Sequence, residues 1–174
     1  GFSLNGGAMT INPGIAFEVH PGSIITIAGA CDNNGTIRLD GGLTLTGQLS
    51  SSLGSGIIFN DVPGSDGWQI NFDGGALSDH TLTGAGLGGC FIFNNAANRM
   101  ENITVPSGAA YNFNMGGGGF ITLAGTNSVD GVLEIGVDGG TIEIDGVTTF
   151  AGSGTTGLTQ AYINESGAGG QLII

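Results

Sequence analysis

The chain has 174 residues, 37 of them glycine, and a formal net charge of −12 with Arg38 and Arg99 as its only strong cations. Such a surface repels phosphate, which argues against nucleic-acid binding, and it disfavours anionic membranes unless a divalent cation bridges the two. Only four prolines and no Gly-X-Y period exclude collagen, while a hydrophobic fraction of 40 % excludes a disordered glycine-rich chain.

By length this is one domain, residues 1–174. No stretch is apolar for long enough to cross a bilayer as a helix, so membrane insertion is not expected. The opening Gly-Phe-Ser-Leu has neither an initiator Met nor a signal-peptide pattern, which points to a processed product or a piece of something longer.

In chain order, the first element is "FSL" (2–4), apolar at its first and third positions and closed by Asn5-Gly6-Gly7. "AMTIN" (8–12) and "SIITIAG" (23–29) follow, then "IRL" (37–39) closed by Asp40-Gly41-Gly42. "LTLTG" (43–47) and "IIFND" (57–61) lead to "INF" (70–72), closed by Asp73-Gly74-Gly75. "ALSDHTLTG" (76–84) and "CFIFNN" (90–95) precede "ITV" (103–105), where Ser107-Gly108 takes the place of the glycine pair. "AAYNFN" (109–114) and "FITLAG" (120–125) come next, then "IGV" (135–137) with Asp138-Gly139-Gly140. "TIEIDG" (141–146), an irregular "NESGAG" (164–169) and "QLII" (171–174) finish the chain.

Each run alternates with a period of two, as a strand with one buried face does, and no helical period is sustained. The glycine pairs recur about every 33 residues. The expected fold is therefore all-β: a parallel β-helix or solenoid of about five coils of about 33 residues, three short strands to a coil. The Asp-Gly-Gly triplets read as its corners, because Gly accepts positive φ and Asp bonds its own backbone. Phe2, Ile37, Ile70, Ile103 and Ile135 should be buried and stacked, with Leu4, Leu39, Phe72, Val105 and Val137 beside them. Ser3, Arg38, Asn71 and Thr104 should face outward.

"GSIITIAGACDNNGTIRLDGGLTLTG" (22–47) resembles right-handed parallel β-helix proteins, and in style a bacterial autotransporter passenger or haemagglutinin-type adhesin. The resemblance implies an extracellular or cell-surface location and one of several roles: adhesin, viral tail spike, or polysaccharide lyase or hydrolase. Lyases of this fold use an acidic calcium cluster and a base. Asp40 and Asp73 are the weak calcium candidates, with Arg38 nearby, and as turn residues they have an ordinary structural explanation. Asp138, Glu143 and Asp145 could supply a glycosidase pair, or a solvated acidic face. No catalytic or cofactor-binding residue is assigned, and an enzyme is not expected.

The remaining candidates are plain. His20 and His80 lack metal-ligand spacing and read as surface or turn residues. Trp68 could stack on a sugar ring, though filling a corner is the more ordinary use. Thr44 and Thr46 lack matching pairs in neighbouring 33-residue repeats, which removes the regularity that ice binding needs. Sequons stand at Asn34, Asn102 and Asn164. Cys31 and Cys90, about two rungs or ~9.6 Å apart, should form no intrachain disulfide.

A solenoid exposes a rung of unpaired backbone at each end, and neither end here carries a polar cap. Phe2, Leu4, Met9 and Ile11 at one end and Leu172, Ile173 and Ile174 at the other are the expected subunit interface. The expectation is a structural or adhesive subunit that joins itself head to tail into a filament, with surface glycans as further partners. The alternative is a fragment of a longer surface adhesin or tail-spike-like protein.

Overall fold

The computed structural model describes residues 2–4, 7–60, 70–84, 89–92, 98–115 and 119–174, with side chains outside the description at 2–4, 89–92, 114–115, 137–138 and 159–169. All described elements are strands. β1 (Phe2–Leu4), β2 (Met9–Ile11) and β3 (Ala16–Val19) form one coil, and β4 (Ile24–Ile27), β5 (Ala30–Asn33) and β6 (Thr36–Leu39) the next. β7 (Gly42–Leu45), β8 (Gln48–Ser50) and β9 (Gly56–Asn60) follow, then β10 (Ile70–Phe72), β11 (Ala76–Ser78) and β12 (His80–Gly84). After β13 (Gly89–Ile92), β14 (Arg99–Glu101), β15 (Thr104–Val105) and β16 (Ala110–Met115), the strands bend through corners without a break. These are β17 (Phe120–Val129), β18 (Val132–Ala151) and β19 (Thr155–Ile173).

Every pairing is parallel, and three stacks of strands result. The first contains β1, β4, β7, β10, β13 and β16, then the opening segments of β18 and β19. The second runs β2, β5, β8, β11 and β14, then Phe120–Ala124 and the middles of β18 and β19. The third runs β3, β6, β9, β12 and β15, then the final segments of β17, β18 and β19. The expected parallel β-solenoid with three strands per coil is the fold.

The coil length differs from the expected 33 residues. Phe113 pairs with Ile135 and Ile135 with Leu158, steps of 22 and 23, while Ile25 to Leu43 spans 18 and Leu43 to Ile70 spans 27. The glycine pairs are corners, but of more than one kind. Gly74-Gly75 and Gly139-Gly140 lie between the first and second stacks, Gly41-Gly42 and Ser107-Gly108 between the third and first. The recurrence of 33 thus averages one and a half coils, because the steps alternate between four strands and five along a three-stranded coil. Ile37 and Ile103 accordingly stand in the third-stack wall and Ile70 and Ile135 in the first, so they do not form one column.

Glycine meets two different demands at these corners. Gly74 and Gly139 adopt positive φ, 80° and 66°, which Gly takes without steric cost. Gly41 needs room instead, since a Cβ there would stand 2.4 Å from the Ser23 carbonyl oxygen on the coil beside it.

Burial follows the alternation. Ile37, Leu39, Ile70, Phe72, Ile103, Val105 and Ile135 are buried, while Arg38, Asn71 and Thr104 lie half-exposed on the outer face. Phe2, Leu4 and Val137 have side chains outside the described residues. Phe72 and Phe113 meet edge to face at 5.8 Å inside the tube, an arrangement favoured by the ring quadrupole. Outside, the Arg38 guanidinium lies 5.0 Å from the Phe59 ring centre.

Candidate functional site

The outer face of the second stack brings one arginine together with three acids. Pairing places Arg99, Thr122 and Glu143 in one outward column and Glu101, Ala124 and Asp145 in the next. Arg99 donates from Nη2 to Glu101 Oε2 at 2.9 Å and from Nη1 to Asp145 Oδ2 at 2.7 Å. It reaches Asp145 across the small Ala124, two rungs along the axis. The Thr122 hydroxyl donates to Glu143 Oε2 at 3.2 Å. Glu143 and Asp145 are therefore already engaged, one by a hydroxyl and one by a guanidinium. Asp138, the third of the expected acids, has a side chain outside the described residues. This arrangement ties rungs together; exposed pairs of this kind contribute roughly 0.2–1 kcal/mol each.

A second polar group fills the corner between the second and third stacks. Asn34 is 6 % exposed. Its amide donates to Asp32 Oδ2 at 2.9 Å, and its carbonyl accepts from the Ser51 hydroxyl at 2.9 Å and the Leu53 N–H at 3.0 Å. The Ser52 N–H and hydroxyl both donate to Asp32, at 2.8 and 2.7 Å, and hold its carboxyl below the usual carboxylate range. His80, read as a surface or turn residue, stands just after a corner at the start of β12 and is 2 % exposed. The reason is phase: His80 shares the inward parity of Leu82 on β12. His20 does lie exposed in its turn.

The calcium candidates do not come together. Asp40 follows β6 at the third-to-first corner, whereas Asp73 follows β10 at the first-to-second corner, so they share no column. Among the described residues no group of three His, Cys, Asp or Glu side chains is placed to hold a metal ion. Trp68 lies outside the described residues.

Of the sequons, Asn34 is buried, and Asn102 donates to Asp79 Oδ1 at 2.9 Å while accepting the Thr126 N–H at 3.0 Å. Asn164 has its side chain outside the description. Cys31 is buried and unpaired, and burial, then the neighbouring Asp32, pushes its thiol up to about 11. Cys90 lies on β13 of the first stack, three rungs further along, at a separation of ~14 Å along the axis.

At the expected interface, Ile11 is buried and Met9 and Leu172 are partly buried against the core, while Ile173 and Ile174 are 41 % and 81 % exposed. Gln171, Leu172 and Ile173 pair with Val147, Thr148 and Thr149 in the third stack. Met9–Ile11 belongs to the second stack, so the two halves of the expected interface lie in different stacks. A groove of about 270 Å³ lies nearby, between β3 and β4, lined by Phe17, Glu18, His20 and Ile24 among others.

Sequence reasoning missed Arg99, Glu101 and buried His80. The period of 22 to 23 would have found the Arg99 column, and strand parity would have found His80. No protein-family model matches the chain, and no curated protein or solved structure matches it either.

Proposed function

We propose that the protein is a structural or adhesive β-solenoid of the cell exterior, a stiff rod that associates along its own axis. One observation carries the reading: all three ladders are parallel throughout, over a continuous apolar core. A parallel stack is polar, so its two axial edges are complementary. A coil supplied by a second copy continues the same hydrogen-bond pattern, which makes the contact head to tail and open-ended. In that contact Gln171–Ile173 stacks on Ala16–Val19 of the next copy, third stack upon third stack, rather than on Met9–Ile11. The alternative, a segment of a longer surface adhesin or tail spike, uses the same edges for further coils of its own chain.

Electron microscopy and light scattering of the purified 174-residue chain test the reading. Filaments one solenoid wide are expected, favoured by salt or divalent cations that screen the charge of −12. Ile173→Lys, on a side chain already 41 % exposed, should block elongation while leaving the coil folded. A chain that stays monomeric at high concentration with added calcium contradicts self-assembly.

A further inference from the structure

The corner between the second and third stacks contains a buried imidazole that the structural reading leaves without a use. His80 Nδ1 lies 2.6 Å from the Ser78 carbonyl oxygen, and Nε2 lies 3.1 Å from Asn33 Nδ2. A carbonyl oxygen can only accept, so Nδ1 carries the proton and Nε2 accepts from the Asn33 amide. Asn33 is 0 % exposed and cannot turn over without loss. Its Oδ1 accepts the Gly35 N–H at 3.1 Å, and its Nδ2 also donates to the Ile57 carbonyl at 3.3 Å. A Cβ on Gly56 would stand 2.7 Å from His80 Nε2, so the wall closes on the ring. The neutral imidazole and its Asn33 partner together thus link β5, β9 and β12, three successive coils.

We infer that His80 is an acid-release latch: protonation of Nε2 turns two donors toward each other inside a wall where neither can rotate away, and opens this corner. The two strands that flank β12, β9 and β15, carry no titratable side chain. The charged groups near enough to act on the ring are Asp79, its chain neighbour, and Asp32 on β5, and both favour the cation. Burial outweighs them and holds the imidazole below its ordinary value. With the folded value depressed, the unfolded chain binds the extra proton. The stabilisation is complete above the ordinary histidine range and is lost as pH falls below about 6.5 toward the folded value. The chain has only two histidines, so a variant at His20 is the control for one at His80.

Urea unfolding of the full chain from pH 5 to 7 tests the latch. The unfolding equilibrium constant should rise as pH falls, by up to about tenfold per pH unit for one proton. His20→Gln should keep this dependence, and His80→Gln should flatten it. Should His80→Gln fail to fold, proton NMR of the unaltered chain decides instead. The His80 ring should titrate clearly below the ordinary histidine range, with amide exchange at Gly35 and Ile57 accelerating as His80 charges. A flat profile over this range, loss of the dependence in His20→Gln, or a His80 ring titrating at or above 6.5 overturns the inference.

Discussion

Asn98 is 0 % exposed, yet both ends of its amide are used on different coils. Its Oδ1 accepts the Gly74 N–H at 2.8 Å from one neighbouring rung, and its Nδ2 donates to the Phe120 carbonyl at 3.1 Å on the other. Asn98→Ala would strand a buried donor and a buried acceptor, and should cost on the order of 2–4 kcal/mol in urea unfolding. Asn127 reaches one neighbouring coil only, accepting the Ile103 N–H at 2.9 Å while donating to the Ala124 carbonyl of its own strand at 3.2 Å. Cys31 gives a second residue-scale prediction. With its thiol pushed up to about 11, it should resist an aromatic disulfide reagent in the native chain and react promptly in denaturant. Intact mass should not change by two hydrogens when the monomer is reduced. At Asp130 the Ser153 N–H, at 2.9 Å, and the Ser153 hydroxyl, at 3.0 Å, keep the carboxyl below the usual range. Its contribution is present above the ordinary carboxylate value and fades in stronger acid, a window separate from that of His80.

At the scale of the strand and coil, the alternation was readable because a parity error would expose every apolar side chain of a wall at once. Burial of Ile37, Leu39, Ile70, Phe72, Ile103 and Val105 follows from it directly. Coil length was not readable from the glycines, because one triplet serves two needs. Asp-Gly-Gly at 73–75 supplies positive φ at Gly74 and room beside Leu45 at Gly75, whereas at 40–42 Gly41 supplies room beside Ser23 at a different corner of the coil. Aligning both as one corner yields 33 and hides the columns that hold Arg99 with Asp145. The candidate site was therefore legible only in its acids, Glu143 and Asp145, and not in the cation that joins them. Excising whole coils distinguishes the two lengths. Removing residues 113–134 joins Asn112 to Ile135 in the register of Phe113, and should leave a shorter, cooperatively folded solenoid. Removing 113–145 joins a first-stack strand to a second-stack corner, and should abolish the cooperative transition seen by circular dichroism.

Taken whole, the chain is a stack of non-local parallel pairings, an arrangement that folds slowly because loop closure precedes the contacts that reward it. Refolding from urea should be slow, and slower at low ionic strength, where fourteen acids against two arginines repel one another. Stopped-flow fluorescence at two salt concentrations measures this. The Arg99 bridge to Asp145 and the Asn98 clasp between Gly74 and Phe120 have a mechanical consequence. Pulled along its axis, a solenoid peels from its end one turn at a time, each turn of 22 residues releasing about 75 Å of chain. Where a side chain skips a rung, the turn beneath cannot leave before the turn above has let go. Single-molecule extension should thus show even single-turn steps where no side chain skips a rung, and larger, paired releases where the His80–Asn33 and Arg99–Asp145 links span one, so that the rod yields under load in two regimes.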